Sequence, residues 1–596
     1  MSPNSPKSSM RKTKIICTIG PASNSEAMLR RMIEAGMDVA RLNFSHTGRE
    51  EALQIIGTLK RLREQMSVPL GILLDTKGPE VRLYGYDQAI ELEKETFIEI
   101  ESYTGPDINT ALTGKAHHYY TNLPAIHTLV KPDARVLLMD GYIEGVAVDI
   151  GHNRIRVKVL NSARLRRKAH LSIPHVDYPL EFLSQQDRED ILLGVEQRID
   201  YIALSFVRSF EDIYQVKKLI YDAAPESNIK IISKIENKAS LDDLEDIIHH
   251  SDGIMVARGD LGVELPFEEV PIHQKRIIKQ CYKAAKPVIT ATQMLETMIE
   301  NRLPTRAEAS DVANACYDMT SAVMLSGETT VGKWPARVVS TMDTIIRKAE
   351  NAIDYREALL QGSNPVQARE LTTVVTYNAL TTAYHSKASA IIVLTKSGYS
   401  ARMISRLRPG LPIYTFTYDK HVYHQLALNW GVFPYIIERT ESLDLLIATA
   451  MGVMEEKGLM VHGELAVVVA GLPLGKQGTT NLIKVEALGK VRASGECINR
   501  RSAWGEVVHI HKPSDLQQKE IKEKILFLKN FDKAAIPAMK YARGLVMEDD
   551  DNRADLSVLA LALNIPVLLN VHGVFEQVAE GRIVDISGEN GLLIER

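Results

Sequence analysis

Leu70-Gly71-Ile72-Leu73-Leu74-Asp75-Thr76-Lys77-Gly78-Pro79-Glu80-Val81-Arg82 is an apolar run that breaks directly into a polar cluster punctuated by glycine and proline. It reads as a strand, Leu70–Asp75, followed by a loop rich in chemically capable side chains. The same grammar recurs upstream, with a strand at Lys14–Cys17, a helix at Asn24–Gly36, a strand at Asp38–Asn43 and a helix at Arg49–Met66. Strands alternating with amphipathic helices predict parallel β/α construction. The rhythm halts near Leu83. From there to about Pro174, Thr/Val/Ile-rich segments and turn signals (Thr104-Gly105-Pro106, Asp140-Gly141) predict a small inserted β domain. It resumes with strands at Tyr201–Phe206, Ile229–Ile235, Gly253–Ala257, Pro287–Ala291 and Ala322–Leu325, and helices at Phe210–Tyr221 and Ala239–His249. The units before and after the interruption total about eight, the count of a closed (β/α)8 barrel. A doubly wound open sheet fits the periodicity nearly as well.

A polar stretch at Gln361–Gln367 precedes a third block, Ala368 to about Leu488, again α/β. Gly489–Gly495 reads as a linker. Beyond it, a β-like segment at Glu506–His511 opens a tail that ends in short apolar strands.

Composition narrows the function classes. The 596 residues are 45% apolar and 24% charged, the balance of a globular protein able to bury several cores. A net charge of −4 offers no basic excess for a nucleic-acid binder. Cys17, Cys281, Cys316 and Cys497 lie far apart, which argues against a disulfide scaffold or a thiolate zinc site. No apolar run approaches the ~20 residues of a membrane span, and the polar N-terminus lacks the apolar core of a signal peptide. A cytoplasmic protein is expected.

In a β/α barrel the residues just past the strand C-termini face the active site. Side chains alternate along a strand, so Lys234 and Glu236 face one space, where an ammonium and a carboxylate can address a phosphoryl group and a cation. The plain alternative is a strand-end ion pair. Glu236 and Asp260 suit Mg2+ as hard oxygen ligands, although acids on such loops more often cap helices. The glycines of Arg258-Gly259-Asp260-Leu261-Gly262 let backbone N–H groups approach an anion at a helix start. Arg41, Asn43 and Ser45 share one face. The guanidinium suits phosphate, and the amide and hydroxyl suit a monovalent cation or a phosphate edge. Asp75 and Thr76 add oxygens. His46 can serve as a general base or as a structural hydrogen-bonder.

Taken in order, Arg41-Leu42-Asn43-Phe44-Ser45-His46, Asp75 to Arg82, Ser233-Lys234-Ile235-Glu236-Asn237, Met255 to Gly262, Ala291-Thr292-Gln293-Met294-Leu295-Glu296, Pro304-Thr305-Arg306-Ala307-Glu308 and Leu325-Ser326-Gly327-Glu328-Thr329 closely resemble the pyruvate kinases, from about Lys12 to Val485. The resemblance implies a (β/α)8 TIM barrel (13–82 and 175–346) after a disordered N-terminus (1–12). It also implies an inserted β-barrel lid (83–174), an α/β effector domain (347–488) and an extra swivelling β/β/α domain (489–596). It implies phosphoryl transfer from phosphoenolpyruvate to ADP, giving ATP and pyruvate in glycolysis, under allosteric control in a homotetramer. Lys234, Thr292 and Arg41 then resemble the catalytic residues. Arg41, Lys234, Gly259, Asp260 and Thr292 resemble those that bind phosphoenolpyruvate. Glu236 and Asp260 resemble the ligands of Mg2+ (or Mn2+), and Asn43, Ser45, Asp75 and Thr76 those of K+. Asn43, Ser45, His46, Arg82 and Lys168 fall where nucleotide contacts are expected. Glu80 implies a K+ requirement, since members with Lys there do without the ion.

Two segments depart from the family pattern. Lys168-Ala169-His170-Leu171-Ser172-Ile173-Pro174 stands where Lys-Gly-Val-Asn-Leu-Pro-Gly is usual, and Ser184-Gln185-Gln186-Asp187 where Thr-Glu-Lys-Asp is usual. In the third block Thr395, Ser397, Gly398 and Ser400 resemble a loop that cradles a phosphorylated effector, and Gly478-Thr479-Thr480-Asn481 its partner strand. The tail resembles the swivelling phosphohistidine domain of PEP-utilising enzymes, but Asp555 holds the histidine's place. A structural or interface role is expected for it, not a phospho-relay.

Overall fold

Five-residue runs that are buried on both faces need a partner layer on each side, and in a barrel the interior supplies one and the helices the other. The computed structural model describes residues 10–596 except 106, 140, 175, 177, 358–370, 441, 473–479, 530, 534–535, 550–551 and 596. Eight parallel strands close into a barrel: β1 (Lys14–Thr18), β2 (Val39–Asn43), β3 (Gly71–Asp75), β4 (Tyr201–Leu204), β5 (Lys230–Ile235), β6 (Gly253–Ala257), β7 (Val288–Ala291) and β8 (Ala322–Leu325). Each pairs with its sequence neighbour, and β1 closes the ring on β8 with Lys14 opposite Ala322. Closure settles the choice against an open sheet. Ile16, Val39, Leu73, Ile232, Met255, Ile289 and Met324 fill the interior, and Leu428 joins them.

Two of the motif acids hold the barrel loops. Thr305 and Glu308 form a capping box at the start of the helix Arg306–Tyr317, and Glu308 also accepts the Thr297 N–H at 2.7 Å. Glu328, 2% exposed, accepts the N–H groups of Leu295 (3.1 Å) and Ser326 (2.7 Å), tying the loop after β7 to the loop after β8.

The sequence expectations need four corrections here. The helix expected over Ala239–His249 is broken at Asp243 into Lys238–Asp242 and Leu244–His250, because Asp243 leaves the helical region (φ −100°, ψ 20°). Tyr201–Phe206 ends as a strand at Leu204, and Phe206 takes a left-handed φ of +57°. Arg11 and Lys12, expected within a disordered N-terminus, are ordered. Arg11 is buried against Asp38 (2.8 Å) and Asp343 (2.8 Å), and the Lys12 N–H donates to Glu350 at 2.9 Å. Residues 1–9 and the Gln361–Gln367 stretch lie outside the described residues. Lastly, the expected linker Gly489–Gly495 contains a strand, Lys490–Ser494, antiparallel to Leu592–Glu595 with Val491 opposite Ile594. Its short apolar alternation is hidden between flanking glycines.

The segment inserted after β3 forms a seven-stranded sheet and a separate two-stranded ladder, Ile90–Leu92 with Ala163–Leu165. Ile98, Ile100, Tyr119, Val136, Ile155 and Val157 are in its core. Its last strand, Leu171–Ser172, pairs with Leu137–Leu138 before the chain returns to the barrel.

A second compact unit holds most of residues 363–596. It contains a five-stranded sheet (Val432–Ile436, Ile413–Thr417, Ala390–Leu394, Leu465–Gly471, Thr480–Ala487) whose last strand is antiparallel, and the eight-stranded sheet of the tail. The turn at Gly463 bonds the five-stranded domain to the tail. The Gly463 carbonyl, where φ is +90°, accepts from Ser587 Oγ (3.1 Å) and Asn590 Nδ2 (3.0 Å). Among the described residues no helix is long and apolar enough to cross a membrane.

Candidate functional site

The register of the barrel brings the strand C-termini level, with Thr18 opposite Arg41, Asn43 opposite Asp75 and Leu204 opposite Ser233. Polar side chains at those ends therefore meet. Asp75, fully buried, is the hub. Its Oδ2 accepts from Arg41 Nε at 2.6 Å, and its Oδ1 lies 3.2 Å from Lys234 Nζ. Burial alone would raise the Asp75 pKa, but the two cations outweigh it and hold the carboxylate below its usual range. Arg41 Nη1 also donates to Thr18 Oγ1 at 2.8 Å.

Lys234 Nζ donates to Ser205 Oγ at 2.7 Å and lies 2.8 Å from Glu236 Oε1. Burial works against its charge, yet Asp75 and Glu236 overcome that and raise its pKa above the ordinary lysine value. Glu236, 1% exposed, accepts the Phe206 N–H at 2.5 Å through its other oxygen. Burial pushes its carboxyl up to about 7, Lys234 opposes the shift and the charge of Asp260 adds to it. Asp260 lies on the short helix Arg258–Glu264, which starts directly after β6. Glu236 and Asp260 line one 450 Å³ cavity with Phe206, His170 and Ser172.

Thr292, just past β7, is in the left-handed region at φ +63°, where a β-branched residue is strained by about 1–3 kcal/mol. Its hydroxyl accepts the Gly259 N–H (2.9 Å) and donates to the Ala291 carbonyl (2.7 Å). Arg258 grips the same corner, donating to the Thr292 carbonyl at 2.6 Å and pairing with Asp311 at 2.8 Å.

The donor set fits a divalent cation. Three buried or half-buried carboxylates face two cations, so the cluster carries an excess negative charge between Glu236 and Asp260. Mg2+ characteristically takes one or two carboxylates and completes its shell with substrate oxygens and water. Among the described residues no group of three or more His, Cys, Asp or Glu side chains is placed to hold a metal ion. For a monovalent ion, Asn43 and Asp75 are paired at the ends of adjacent strands, with Ser45 and Thr76 in the loops just beyond. Asn43 Oδ1 accepts the Ser45 N–H at 3.1 Å, and Thr76 Oγ1 accepts the Ser205 N–H at 3.2 Å. Each of these oxygens keeps a second lone pair for a cation.

Several expected contacts are not open in this structure. Arg41 is committed to Asp75 and Thr18, and the Gly259 amide to Thr292. His46 is exposed at the end of the β2 loop. Arg82 pairs with Glu80 (2.7 Å) and donates to the Lys168 carbonyl (2.8 Å), bridging the lid's two connections. The Lys168 ammonium donates to Asn109 (2.9 Å) and sits over the Tyr84 ring, within the lid and away from the buried cluster. The cause is its own backbone, left-handed at φ +55°. In the second unit, Ser400 Oγ meets Thr480 Oγ1 at 2.7 Å, the Gly398 N–H donates to Thr395 Oγ1 at 3.1 Å, and the Ser397 carbonyl accepts from Arg402 at 3.3 Å. Gly478 and Thr479 lie outside the described residues.

Ser205 is the group that sequence reasoning missed. Buried at 2%, it links Lys234, Asp75 (3.2 Å) and the Thr76 carbonyl (2.7 Å). Ending the strand at Leu204 would have exposed it as a strand-end residue.

Comparison with known proteins agrees with this geometry. A family model described as "Pyruvate kinase, barrel domain" matches residues 10–339, and "Pyruvate kinase, alpha/beta domain" matches 373–486. "PEP-utilising enzyme, mobile domain" matches residues 521–591. A pyruvate kinase of Staphylococcus haemolyticus is 39% identical over 591 residues, covering 98% of this chain and 99% of the relative. One from Staphylococcus aureus (strain MRSA252) is also 39% identical with the same coverage. A solved pyruvate kinase from Cryptosporidium parvum superposes with a TM-score of 0.74 at 35% identity, over 80% of this chain and 96% of that one.

Proposed function

The chain belongs to the pyruvate kinase family, and from that premise we propose how its residues divide the family's glycolytic reaction, phosphoryl transfer from phosphoenolpyruvate to ADP and protonation of the enolate to pyruvate. The observation that carries the assignment is the buried Lys234 ammonium held between Asp75 and Glu236. Phosphoryl transfer asks mainly for positioning and cationic neutralisation, not covalent chemistry.

Lys234 stabilises the charge on the transferring phosphoryl group, and Ser205 and Asp75 fix its direction. Arg41 binds the substrate phosphate while its Nε stays on Asp75. The Gly259 and Asp260 amides hold the substrate carboxylate. Because the Gly259 N–H donates to Thr292 Oγ1 in this structure, the carboxylate replaces that hydroxyl and frees Thr292 to orient the proton delivered to the enolate methylene. Glu236 and Asp260 would hold Mg2+ or Mn2+, and Asn43, Ser45, Asp75 and Thr76 would hold K+; bound there, the ions would supply positive charge that neutralises the phosphoryl group. Asn43, Ser45, His46, Arg82 and Lys168 form the nucleotide side. Lys168 reaches it when the lid closes and its ammonium exchanges Asn109, a partner within the lid itself, for the nucleotide. Closure of segment 83–174 over the site excludes water from the phosphoryl group.

The domains divide as 13–82 with 175–346 (barrel), 83–174 (lid), 347–488 (effector domain) and 489–596 (tail). Thr395, Ser397, Gly398 and Ser400 bind a phosphorylated effector, in a cytoplasmic homotetramer. The tail braces the effector domain. Its Asp555 is paired with Lys533 at 2.8 Å, a surface ion pair in place of a phosphorylatable group.

Pyruvate formation from phosphoenolpyruvate and ADP by the purified chain tests the assignment. With Mg2+ present it should be rapid with K+ and nearly absent in a buffer free of monovalent metal ions. Glu80 motivates this, because its carboxylate, paired with Arg82, leaves no fixed ammonium to replace the ion. Full activity without K+ contradicts the monovalent site. Ser205→Ala should lower kcat about tenfold, the scale of a lost hydrogen bond to a charged group, with KM for ADP unchanged. An unchanged kcat would remove Ser205 from the account.

A further inference from the structure

The lid rejoins the barrel through the strand Leu171–Ser172, in the segment where the sequence departs from the family pattern. There it meets the helix that carries Asp260. Ser172, 4% exposed, donates through Oγ to Glu264 Oε1 at 3.1 Å. Glu264 is the last residue of the helix Arg258–Glu264, four positions after Asp260, so both carboxylates lie on one face of the helix. Both line the 450 Å³ cavity with Glu236 and Ser172. Tyr178 supports the contact from the lid's exit, where its hydroxyl accepts the Ile173 N–H at 2.7 Å. Burial first, and the Glu264 charge after it, keep that hydroxyl protonated.

The helix is thus held at two places. Its start is fixed to the barrel through Arg258, bonded to the Thr292 carbonyl and to Asp311. Its end is fixed to the lid. A helix of two turns moves as a rod, so displacing Glu264 displaces Asp260.

We infer that Ser172 and Glu264 form a latch through which the lid sets the position of Asp260, which makes both of them positioning residues for the divalent cation. The inference rests on the assignment of Glu236 and Asp260 to that cation. The same bond could serve only to anchor the lid, and the two roles predict different behaviour. An anchor affects lid stability alone. A latch affects cation affinity and the mobility of the helix before any substrate binds.

The test uses the full-length protein, free of nucleotide and substrate, as Ser172→Ala, Glu264→Ala, the double variant and Glu264→Gln. Mn2+ affinity is read by electron paramagnetic resonance, and amide exchange over residues 258–264 by mass spectrometry in the metal-free protein. Each alanine variant should weaken Mn2+ binding about tenfold, the usual cost of losing a group that orients a ligand, and should speed exchange in 258–264. The double variant should lose less than the sum of the two single ones, because both remove the shared Ser172–Glu264 contact. Glu264→Gln keeps an acceptor for Ser172 Oγ and should stay within about twofold of the parent. Additive losses, or unchanged affinity and exchange in Ser172→Ala, overturn the latch. Glu236→Gln separates the two readings. If it abolishes Mn2+ binding while Ser172→Ala does not alter it, only the latch fails. If neither changes binding, the cation assignment fails first.

Discussion

Lys234→Met is expected to slow pyruvate formation about 10⁴-fold, the scale on which a cation stabilises a transferring phosphoryl group. The ammonium sits on the end of β5 with three oxygen partners, Asp75 Oδ1, Ser205 Oγ and Glu236 Oε1, at 3.2, 2.7 and 2.8 Å. Those bonds hold it in place before substrate arrives, so little reorganisation accompanies the reaction. The substitution also leaves two buried carboxylates with less compensation. Removing one partner of a buried ion pair costs about 3–5 kcal/mol, and Glu236 will recover part of it by taking up a proton. Thermal stability should therefore fall together with the rate. Lys234→Arg separates the two effects, because it keeps the charge but not the geometry. It should restore much of the melting temperature and little of the rate. If Lys234→Met turns over normally, the ammonium is a structural ion pair and the assignment is wrong.

Glu236→Gln should abolish divalent-metal activation and flatten the pH dependence of metal binding. In the parent protein, burial and the Asp260 charge lift the Glu236 carboxyl to about 7, above the ordinary glutamate value of 4.5. Metal binding requires the ionised form. Affinity should therefore improve about tenfold per pH unit up to about 7 and level off above it. The metal-free protein should behave in the opposite sense. Between pH 4.5 and 7 the native carboxyl holds a proton that the unfolded chain has released, so stability falls as pH rises through that window. Adding Mg2+ reverses the trend by stabilising the ionised site. The glutamine variant, which has no proton to exchange, should show neither trend. Calorimetric melts at several pH values, with and without Mg2+, measure both. A parent protein whose melting temperature ignores Mg2+ at pH 8 contradicts the account.

Much of the site was legible because a parallel barrel turns linear position into spatial position. Once β2, β3, β5, β6 and β7 were placed, the polar residues at their ends had to converge, and Arg41, Asp75, Lys234, Glu236, Asp260 and Thr292 did. The two-residue spacing of Lys234 and Glu236 was enough to predict their contact. What sequence could not supply was which partner takes each hydrogen bond. The Gly259 amide is bonded to Thr292 and the Arg41 Nε to Asp75, choices set by loop conformation and register, not by residue type. Ser205 was missed because β4 ends two residues earlier than its apolar composition suggests, with Phe206 turned to positive φ so that its N–H reaches Glu236. Lys168 was placed by motif, but its side chain follows a left-handed backbone that no alternation pattern reveals. The strand Lys490–Ser494 depends on pairing with residues a hundred positions later, a contact invisible to any local window.

Anomalous diffraction from crystals grown with Mn2+ and phosphoenolpyruvate would examine the convergence itself. The account predicts one strong manganese peak within bonding distance of Glu236 and Asp260, with the substrate phosphoryl group lying between that ion and the Lys234 ammonium. Manganese bound elsewhere, or a phosphoryl group remote from Lys234, would contradict it.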